Sequence, residues 1–526
     1  MNEIKEIKSN NQKLELFKNI WKIADDLRGK VNGWDFKNYI LSFLFYRYIS
    51  ENIADYINEQ QTNKNYYETL SDTKIEKKHI EQIVNIKGFF IKPSELFINV
   101  YESAKENREN LNEILTNIFK NIENVQMLWG GVLSDNHIKG IFGNIDFNST
   151  NLGDTLIKRN ENLFKIMSQI KNIDLGKFED KTIDIFGDAY EFLMGMYASK
   201  AGKSGGEYFT PQEVSRLLTL LAIGNKTKIN EIYDPACGSG SLLLQAEKIL
   251  GHENVRDGFY GQESEPITYN LCRMNMFLHN VNYSKFNIYL GDTLIEPKQP
   301  INKKFEVIVS NPPYSIKWKG DDDLLLLNDE RYSVVGVLAP KSKADYAFIL
   351  HSLHILDDKG AASIVCFPGI FYRGGVEFKI RKYLVDNNFI DLIIALPENL
   401  FYGTTISTNI MVLSKCKIGK KIMFIDASQL YVKETNQNKL SEDNIQKILK
   451  TFLQKNEIEH FSRLVDIDEI ENNNYDLSVG NYVQAENLNK KEVIDINELN
   501  LSIKEISNKN NKLRNQIDLL LKELEK

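Results

Sequence analysis

The chain is 526 residues long, carries a formal charge of −7, and is 42% hydrophobic and 26% charged. This length predicts two or three domains, and the composition is that of a soluble globular protein able to bury a real core. No apolar run reaches bilayer-spanning length, and the start MNEIKEIKSNNQKLELF lacks the apolar centre of a secretory signal, so membrane and secreted classes are excluded. An acidic chain makes a poor stand-alone DNA binder, because phosphate neutralisation supplies most of the affinity; it reaches DNA through a local basic face or a basic partner. The four cysteines, Cys237, Cys272, Cys366 and Cys416, lack the close pairing of a zinc site. Free thiols in a reducing cytoplasm are expected, and no metal.

From about residue 10 to 170 the pattern is helical, with few glycines and prolines. Phe17, Ile20, Trp21, Ile23, Ala24 and Leu27 recur at helical spacing; after a turn near Gly33 a second run, Tyr39 to Ile49, is apolar nearly all round and predicts a helix buried on several sides. Tyr46 and Tyr48, set among Leu and Phe, read as core rather than as a base-stacking platform. From about 180, short β-branched runs alternate with amphipathic segments, the pattern of an α/β domain with a mostly parallel, Rossmann-like sheet. Predicted strands are 229–233, 258–261, 286–290, 307–310, 362–367, 390–395, 409–414 and 422–425. Predicted helices are 212–222, 241–250, 266–279, 344–356 and 376–387. The last two strands follow one another closely, which predicts a terminal antiparallel hairpin at the sheet edge. The segment 315–340, carrying Lys317, Trp318, Lys319 and Asp321-Asp322-Asp323, is long between regular elements, and ordering on DNA binding is expected of it. In the tail, Leu499, Ile503, Ile506, Asn510, Leu513, Ile517, Leu520 and Leu524 alternate steps of four and three, a heptad seam with one polar position. An intermolecular or interdomain helix pair is expected there, with Asn510 setting register. The domains so predicted are 1–170, 171–480 and 481–526.

Chemistry gathers at strand ends. Asp234-Pro-Ala-Cys-Gly238-Ser239-Gly240-Ser241 lies between a strand and a helix, where glycines let backbone approach a ligand at the carboxyl end of the sheet. The Gly-x-Gly-x-x-Gly fingerprint and a Gly-Lys-Ser/Thr phosphate loop are both missing, which disfavours dinucleotides and nucleoside triphosphates. Glu263 ends the next strand, where a carboxylate accepts hydrogen bonds from a ribose diol. Asp292, after the third strand, suits an adenine amine. After the fourth come Asn311-Pro312-Pro313-Tyr314. The prolines remove two backbone donors and leave carbonyls as acceptors. The Asn311 side-chain oxygen and the Pro312 carbonyl can hold the two protons of an exocyclic amine and expose its lone pair to a methyl sulfonium. Tyr314 would stack on a base drawn from the duplex.

With these motifs the sequence resembles the N6-adenine DNA methyltransferases, and specifically the modification (M) subunits of type I restriction-modification systems. The resemblance covers nearly the whole chain: helical N-terminal domain, class I S-adenosylmethionine-dependent methyltransferase domain and helical tail. It includes Gly206-Glu207-Tyr208-Phe209-Thr210-Pro211-Gln212 upstream of the glycine loop, giving the motif order of the γ class. The resemblance implies that Glu207 to Gln212 pack over the methionine end of the cofactor, with Thr210 near its carboxylate. It also implies that Asp234 and Gly238 to Ser241 surround the cofactor, that Glu263 binds its ribose and Asp292 its adenine, and that Asn311 to Tyr314 form the catalytic pocket. A second aromatic from a later loop often meets the flipped base; Phe371 or Tyr372 is the candidate. The implied partners are double-stranded DNA, a specificity (S) subunit with two copies of this chain, and a restriction (R) subunit.

Other readings fare less well. Cytosine C5 methylation needs a Pro-Cys nucleophile, which is missing, and N4-cytosine enzymes usually begin the tetrapeptide with Ser. RNA and protein-glutamine methyltransferases share Asn-Pro-Pro-Tyr but are typically shorter, without the Gly-Glu-Tyr-Phe-Thr-Pro segment or helical flanks. A fused restriction-modification enzyme would need a nuclease domain and a target-recognition domain, for which there is no room, and a stand-alone N6-adenine or N4-cytosine DNA methyltransferase is the alternative. A non-catalytic assembly scaffold is at odds with the intact tetrapeptide.

Overall fold

The β-branched runs between residues 229 and 466 pair into one nine-stranded sheet, ordered β11-β8-β6-β7-β5-β4-β1-β2-β3. The computed structural model describes residues 36–59, 61–125, 138–143, 145–173, 185–200, 209–320, 323–401, 404–434, 437–484 and 503–514. In the large sheet β1 is Ile229–Asp234, β2 Val255–Glu263, β3 Phe286–Leu290, β4 Phe305–Ser310, β5 Leu356–Cys366, β6 Ile390–Ala395, β7 Asn409–Ser414 and β8 Lys421–Asp426. The short pair β9 (Val432–Lys433) and β10 (Asn438–Lys439) stands apart, and β11 is Ser462–Asp466. β3, β2, β1, β4 and β5 run parallel, as do β6 and β8. The order reverses between β1 and β4, which opens a crevice at their carboxyl ends.

The mostly parallel sheet holds as predicted, but the hairpin does not. β7 is antiparallel to both β5 and β6 and lies between them, while β8 lies beyond β6. Every residue of β7 is buried, as suits an interior strand. The link 415–420 is long enough to step over one intervening strand, about 10 Å at the usual strand spacing. β8 is not the edge either: β11 pairs antiparallel with it. β11 gives little signal in the sequence because its five residues alternate exposed and buried positions weakly.

In the helical part, α1 is Phe36–Asn58, α2 Lys77–Lys87, α3 Phe97–Glu106, α4 Leu111–Glu123, α5 Leu156–Lys171 and α6 Ile185–Lys200. Through the α/β part follow α7 Gln212–Ile223, α8 Ser241–Leu250, α9 Pro266–Leu278, α10 Asp345–Ile355, α11 Val376–Asp386 and α12 Glu442–Leu453. As expected, α1 is buried on several sides, and Tyr46 and Tyr48 are core. The Tyr46 hydroxyl donates to the Glu95 carbonyl, and that of Tyr48 to Asn280 Oδ1 at 2.6 Å. The helical part and one face of the sheet share a single hydrophobic core: Phe45 and Phe89 both pack on Phe277 of α9, with centroids 6.1 and 5.9 Å away. A second core, on the other face, includes Tyr233, Phe305, Trp318, Tyr346 and Phe371. The apolar spacing between Phe17 and Leu27 lies outside the described residues.

The chain divides into compact units 1–483 and 484–526. In the second unit residues 503–514 form a helix on which Ile503, Ile506 and Leu513 are exposed. Leu499, Ile517, Leu520 and Leu524 of the heptad seam lie outside the described residues. No helix among the described residues is long and apolar enough to cross a membrane.

Candidate functional site

At the end of β1 the Asp234 carboxylate accepts the Ala236 N–H at 2.9 Å and starts the turn. Gly238 and Gly240 take positive φ (52° and 79°), where a side chain would be strained. A Cβ on Gly240 would stand 2.8 Å from Cys272 Sγ, so α9 closes directly on the loop. α8 starts at Ser241, which, like Ser239, is buried. Glu263, ending β2, reaches back to the loop: Oε2 accepts the Gly238 N–H at 3.0 Å and Oε1 the Glu265 N–H at 2.9 Å. After β3 the Asp292 carboxylate accepts the Leu294 N–H at 2.9 Å, and the Thr293 hydroxyl donates to the Pro235 carbonyl at 2.6 Å. The turns after β1, β2 and β3 are thus tied to one another.

Together they wall a cavity of about 300 Å3, lined by Pro235, Glu263, Asp292, Pro313, Trp318 and Phe348 among others. That volume is at the lower end of the usual range for small-molecule sites, roughly 300–1,000 Å3. The residues fit an adenosine-bearing cofactor: two carboxylates stand at successive strand ends, and the Ser239 hydroxyl oxygen is buried without a hydrogen-bond partner among the described residues. Burial pushes Asp234 up to about 7, against the opposing N–H of Ala236, and burial also raises Glu263.

β4, buried between β1 and β5, delivers the tetrapeptide at the switch point. Asn311 is held at both ends of its amide. Its Nδ2 donates to Thr210 Oγ1 at 3.0 Å, and its Oδ1 accepts from the Tyr314 hydroxyl at 2.6 Å. Burial pushes the Tyr314 phenol well above its ordinary value, so it stays protonated as a donor. The Tyr314 ring meets Phe401 edge-on, with centroids 6.4 Å apart at 86°. Ser315, next in the chain, is left-handed at φ 51°, and its N–H goes to Asp345 Oδ1 at 3.3 Å. Backbone strain of this kind costs on the order of 1–3 kcal/mol and concentrates at functional sites.

Of the upstream motif, Glu207 and Tyr208 lie outside the described residues. Phe209, Thr210 and Pro211 are buried, with a Cβ on Gly195 of α6 falling 3.1 Å from the Phe209 ring. Gln212 accepts from Gln245 at 2.5 Å. Thr210, which the resemblance puts near the cofactor carboxylate, has its hydroxyl on the Asn311 amide.

The ring that meets Tyr314 among the described residues comes from the β6–β7 loop, as Phe401, not from the loop after β5. Phe371 is buried in the second core and Tyr372 is 57% exposed. Buried packing of Phe371 under the Tyr346–Ile370 hydrogen bond leaves it no ligand face. In the segment expected to order on DNA binding, residues 315–320 and 323–340 pack onto the second core. Trp318 is buried against Tyr332, and Arg331, 4% exposed, donates to the carbonyls of Thr293 (2.7 Å) and Leu294 (2.8 Å) and pairs with Asp329. His351 Nδ1 lies 3.1 Å from Arg331, and its Nε2 the same distance from the Tyr233 hydroxyl. This buried network braces the Asp292 side of the cavity from behind. Its one signal in the sequence was Trp318 itself, an apolar bulk inside a charged loop.

Known proteins fit this geometry. The N-6 DNA Methylase family profile matches residues 181–491, and the HsdM N-terminal domain profile matches 16–170. The chain is 48% identical to the type I restriction enzyme MpnII methylase subunit of Mycoplasma pneumoniae, over 99% of this chain and 98% of the relative. It is 31% identical to the MjaVIII methylase subunit of Methanocaldococcus jannaschii, over 80% of this chain and 77% of that one. A crystal structure of a type I restriction-modification methyltransferase subunit from Streptococcus thermophilus superposes with a TM-score of 0.80 at 32% identity, covering 90% of this chain and 99% of the other.

Proposed function

The chain belongs to the N-6 DNA methylases as the methylase (M) subunit of a type I restriction-modification system, and from that premise we propose that its transfer centre is Asn311–Tyr314, with Phe401 as the second base-contacting aromatic. The reaction is transfer of a methyl group to N6 of adenine in DNA. S-adenosylmethionine supplies an electrophilic methyl sulfonium. The chain's own residues supply the rest. Asn311 Oδ1 and the Pro312 carbonyl take the two N–H bonds of the target amine, turn its lone pair out of conjugation and aim it at the methyl carbon. Transfer would leave the donor as a neutral thioether and the amine with one proton fewer, that proton passing to solvent from beside the Asn311 oxygen that held it. Tyr314 and Phe401 bracket the extruded base.

Glu263 and Asp292 take the ribose and adenine of the cofactor, the Asp234-to-Ser241 turn surrounds its sulfur end, and Glu207 to Gln212 cover its methionine. What carries this reading is the Asn311 amide, held by Thr210 and Tyr314 beside a cavity that Pro313 shares with Glu263 and Asp292. The chain works with specificity and restriction subunits on DNA. Two copies per specificity subunit is our reading of the stoichiometry, with the exposed Ile503–Leu513 seam as a contact. A helical domain to about 170, a transferase domain to about 480 and a tail form its plan; the profile boundaries support the first division. Free thiols at Cys237, Cys272, Cys366 and Cys416 fit a cytoplasmic setting.

The test is transfer of a labelled methyl group to DNA, by the chain alone and with its specificity subunit, with the modified base identified. Label in N6-methyladenine only with the specificity subunit is expected. N4-methylcytosine as product, or label on RNA or protein, would overturn the reading.

A further inference from the structure

Among the described residues, nine without a glycine's freedom take positive φ, and five of them are asparagine, which tolerates that region. Ser315, directly after the tetrapeptide, has no such tolerance. The start of α10 grips it from two successive positions. Asp345, the first residue of that helix, accepts the Ser315 N–H at 3.3 Å, and the Ala344 N–H donates to the Ile316 carbonyl at 3.0 Å. Pro313 and Ile316, on either side of this turn, line the cavity together with Phe348, about one helical turn on from Asp345. The Asp345 side chain is buried, and its Oδ2 has no hydrogen-bond partner among the described residues. Burial raises its carboxyl, against the opposing pull of its own N–H, the Ser315 N–H and the cations of Arg373 and Lys343. A carboxylate in the first turn of a helix is stabilised by the helix dipole, but that does not require burying it. A buried carboxyl with one oxygen unpaired lowers stability, so its presence here has to serve the turn it holds.

We propose that Asp345 is a positioning residue for methyl transfer, holding Ser315 left-handed and so keeping Tyr314, and the Asn311 oxygen bonded to it, aimed at the target base; this rests on Asn311–Tyr314 being the transfer centre. The chain is anchored on both sides of the turn. Upstream, β4 is paired with β1 and β5. Downstream, Ile316 and Trp318 are bonded to Ala344 and Lys341. If Ser315 relaxed out of the left-handed region, the residues between these anchors would have to absorb the rotation. Pro312 and Pro313 have φ locked by their rings, so the change falls on Asn311 and Tyr314. Those two side chains hold each other by one hydrogen bond of 2.6 Å, which a turn of either backbone would break. Asp345 therefore acts on the reaction through Ser315, without touching the base.

The experiment is single-turnover methylation of a target duplex by the chain assembled with its specificity subunit, with the melting temperature of each variant measured alongside. Asp345→Ala is expected to slow transfer by about tenfold, the scale of one hydrogen bond. Asp345→Asn keeps an acceptor for the Ser315 N–H in the shape of the neutral acid, and is expected to keep most of the rate. Glycine adopts the left-handed turn without strain, so adding Ser315→Gly to Asp345→Ala is expected to restore most of what was lost. An unslowed Asp345→Ala overturns the proposal. So does a loss that Ser315→Gly fails to restore, which makes Asp345 a brace of the fold, or an equal loss in Asp345→Asn, which makes its charge the active property. If Asp345→Ala does not fold, Ser315→Val decides, because a β-branched residue makes the left-handed turn costlier while leaving Asp345 in place. Slower transfer in that variant supports the proposal and an unchanged rate overturns it. Asn311→Ala separates the two readings. A complex still active with Asn311→Ala sinks the transfer-centre reading and this proposal with it, whereas an inert one beside an unslowed Asp345→Ala sinks this proposal alone.

Discussion

The Tyr314 hydroxyl donates to Asn311 Oδ1 at 2.6 Å, so the aromatic platform and the amide acceptor of the tetrapeptide orient each other. A carbonyl oxygen has two lone pairs, and the second stays available to an amine proton. Tyr314→Phe keeps the ring and loses only this bond, typically about 0.5–1.5 kcal/mol, so single-turnover methylation should slow by no more than about tenfold. Tyr314→Ala should lose about 1–3 kcal/mol of base stacking as well. Equal losses in the two variants would refute the stacking role, and an unchanged rate in Tyr314→Phe would refute the orienting one.

Thr210 offers a sharper discrimination. If its hydroxyl serves to fix the Asn311 amide, Thr210→Val should cut the methylation rate by about tenfold, the scale of one hydrogen bond, with cofactor affinity unchanged. Weaker cofactor binding at an unchanged rate would place the hydroxyl on the cofactor instead.

Asp234 makes the cofactor site sensitive to pH near neutrality. Its folded value, about 7, lies above the ordinary 3.8, so the folded chain holds a proton that the unfolded chain has released. The stability this group contributes is full below about pH 4 and is lost as pH rises through about 7. A cofactor bearing a positive sulfonium favours the ionised carboxylate, so its affinity should fall as pH drops through about 7. Calorimetry between pH 6 and 8 should show both trends in the wild type and neither in Asp234→Asn.

Arg331 tests the wall behind the cavity at Asp292. Arg331→Met takes its donor from the buried Thr293 carbonyl and its ion pair from Asp329, while the Tyr332 hydroxyl still serves the Leu294 carbonyl and the backbone N–H of residue 331 still serves Asp329. Leaving the buried Thr293 carbonyl unpaired costs about 1–3 kcal/mol, so the melting temperature should fall by a few degrees. Trp318→Ala, which strips the cavity lining without touching the ion pair, should weaken cofactor binding. Undiminished cofactor affinity in Trp318→Ala would show that the tryptophan only fills space.

Local signals were legible where the chemistry is contiguous. The Asp234-to-Ser241 turn, Glu263, Asp292 and Asn311–Tyr314 each sit at the end of a strand marked by a β-branched run, and the structure brings their turns to one end of the sheet. Phe401 was not legible as a partner of Tyr314. It depends on β7 threading between β5 and β6, which sets the β6–β7 loop beside the tetrapeptide. Nor was the order of the 315–340 segment, since a buried Arg331 reads as a surface charge until its carbonyl partners are in place.

The sequence by itself determined the fold class, the succession of strand-end motifs and the kind of chemistry, because each is written in residues a few positions apart and follows from local backbone and side-chain properties. Tertiary structure alone decided what those residues touch. It set the Thr210–Asn311–Tyr314 chain, the Arg331 brace behind the cavity and the meeting of Ser315 and Trp318 with Asp345 and Lys341. The physical reason is the same in each case. A hydrogen bond depends on distances in space, and residues 101, 38 and 23 positions apart (Thr210 to Asn311, Thr293 to Arg331, Trp318 to Lys341) come within reach only when the whole sheet has closed its register.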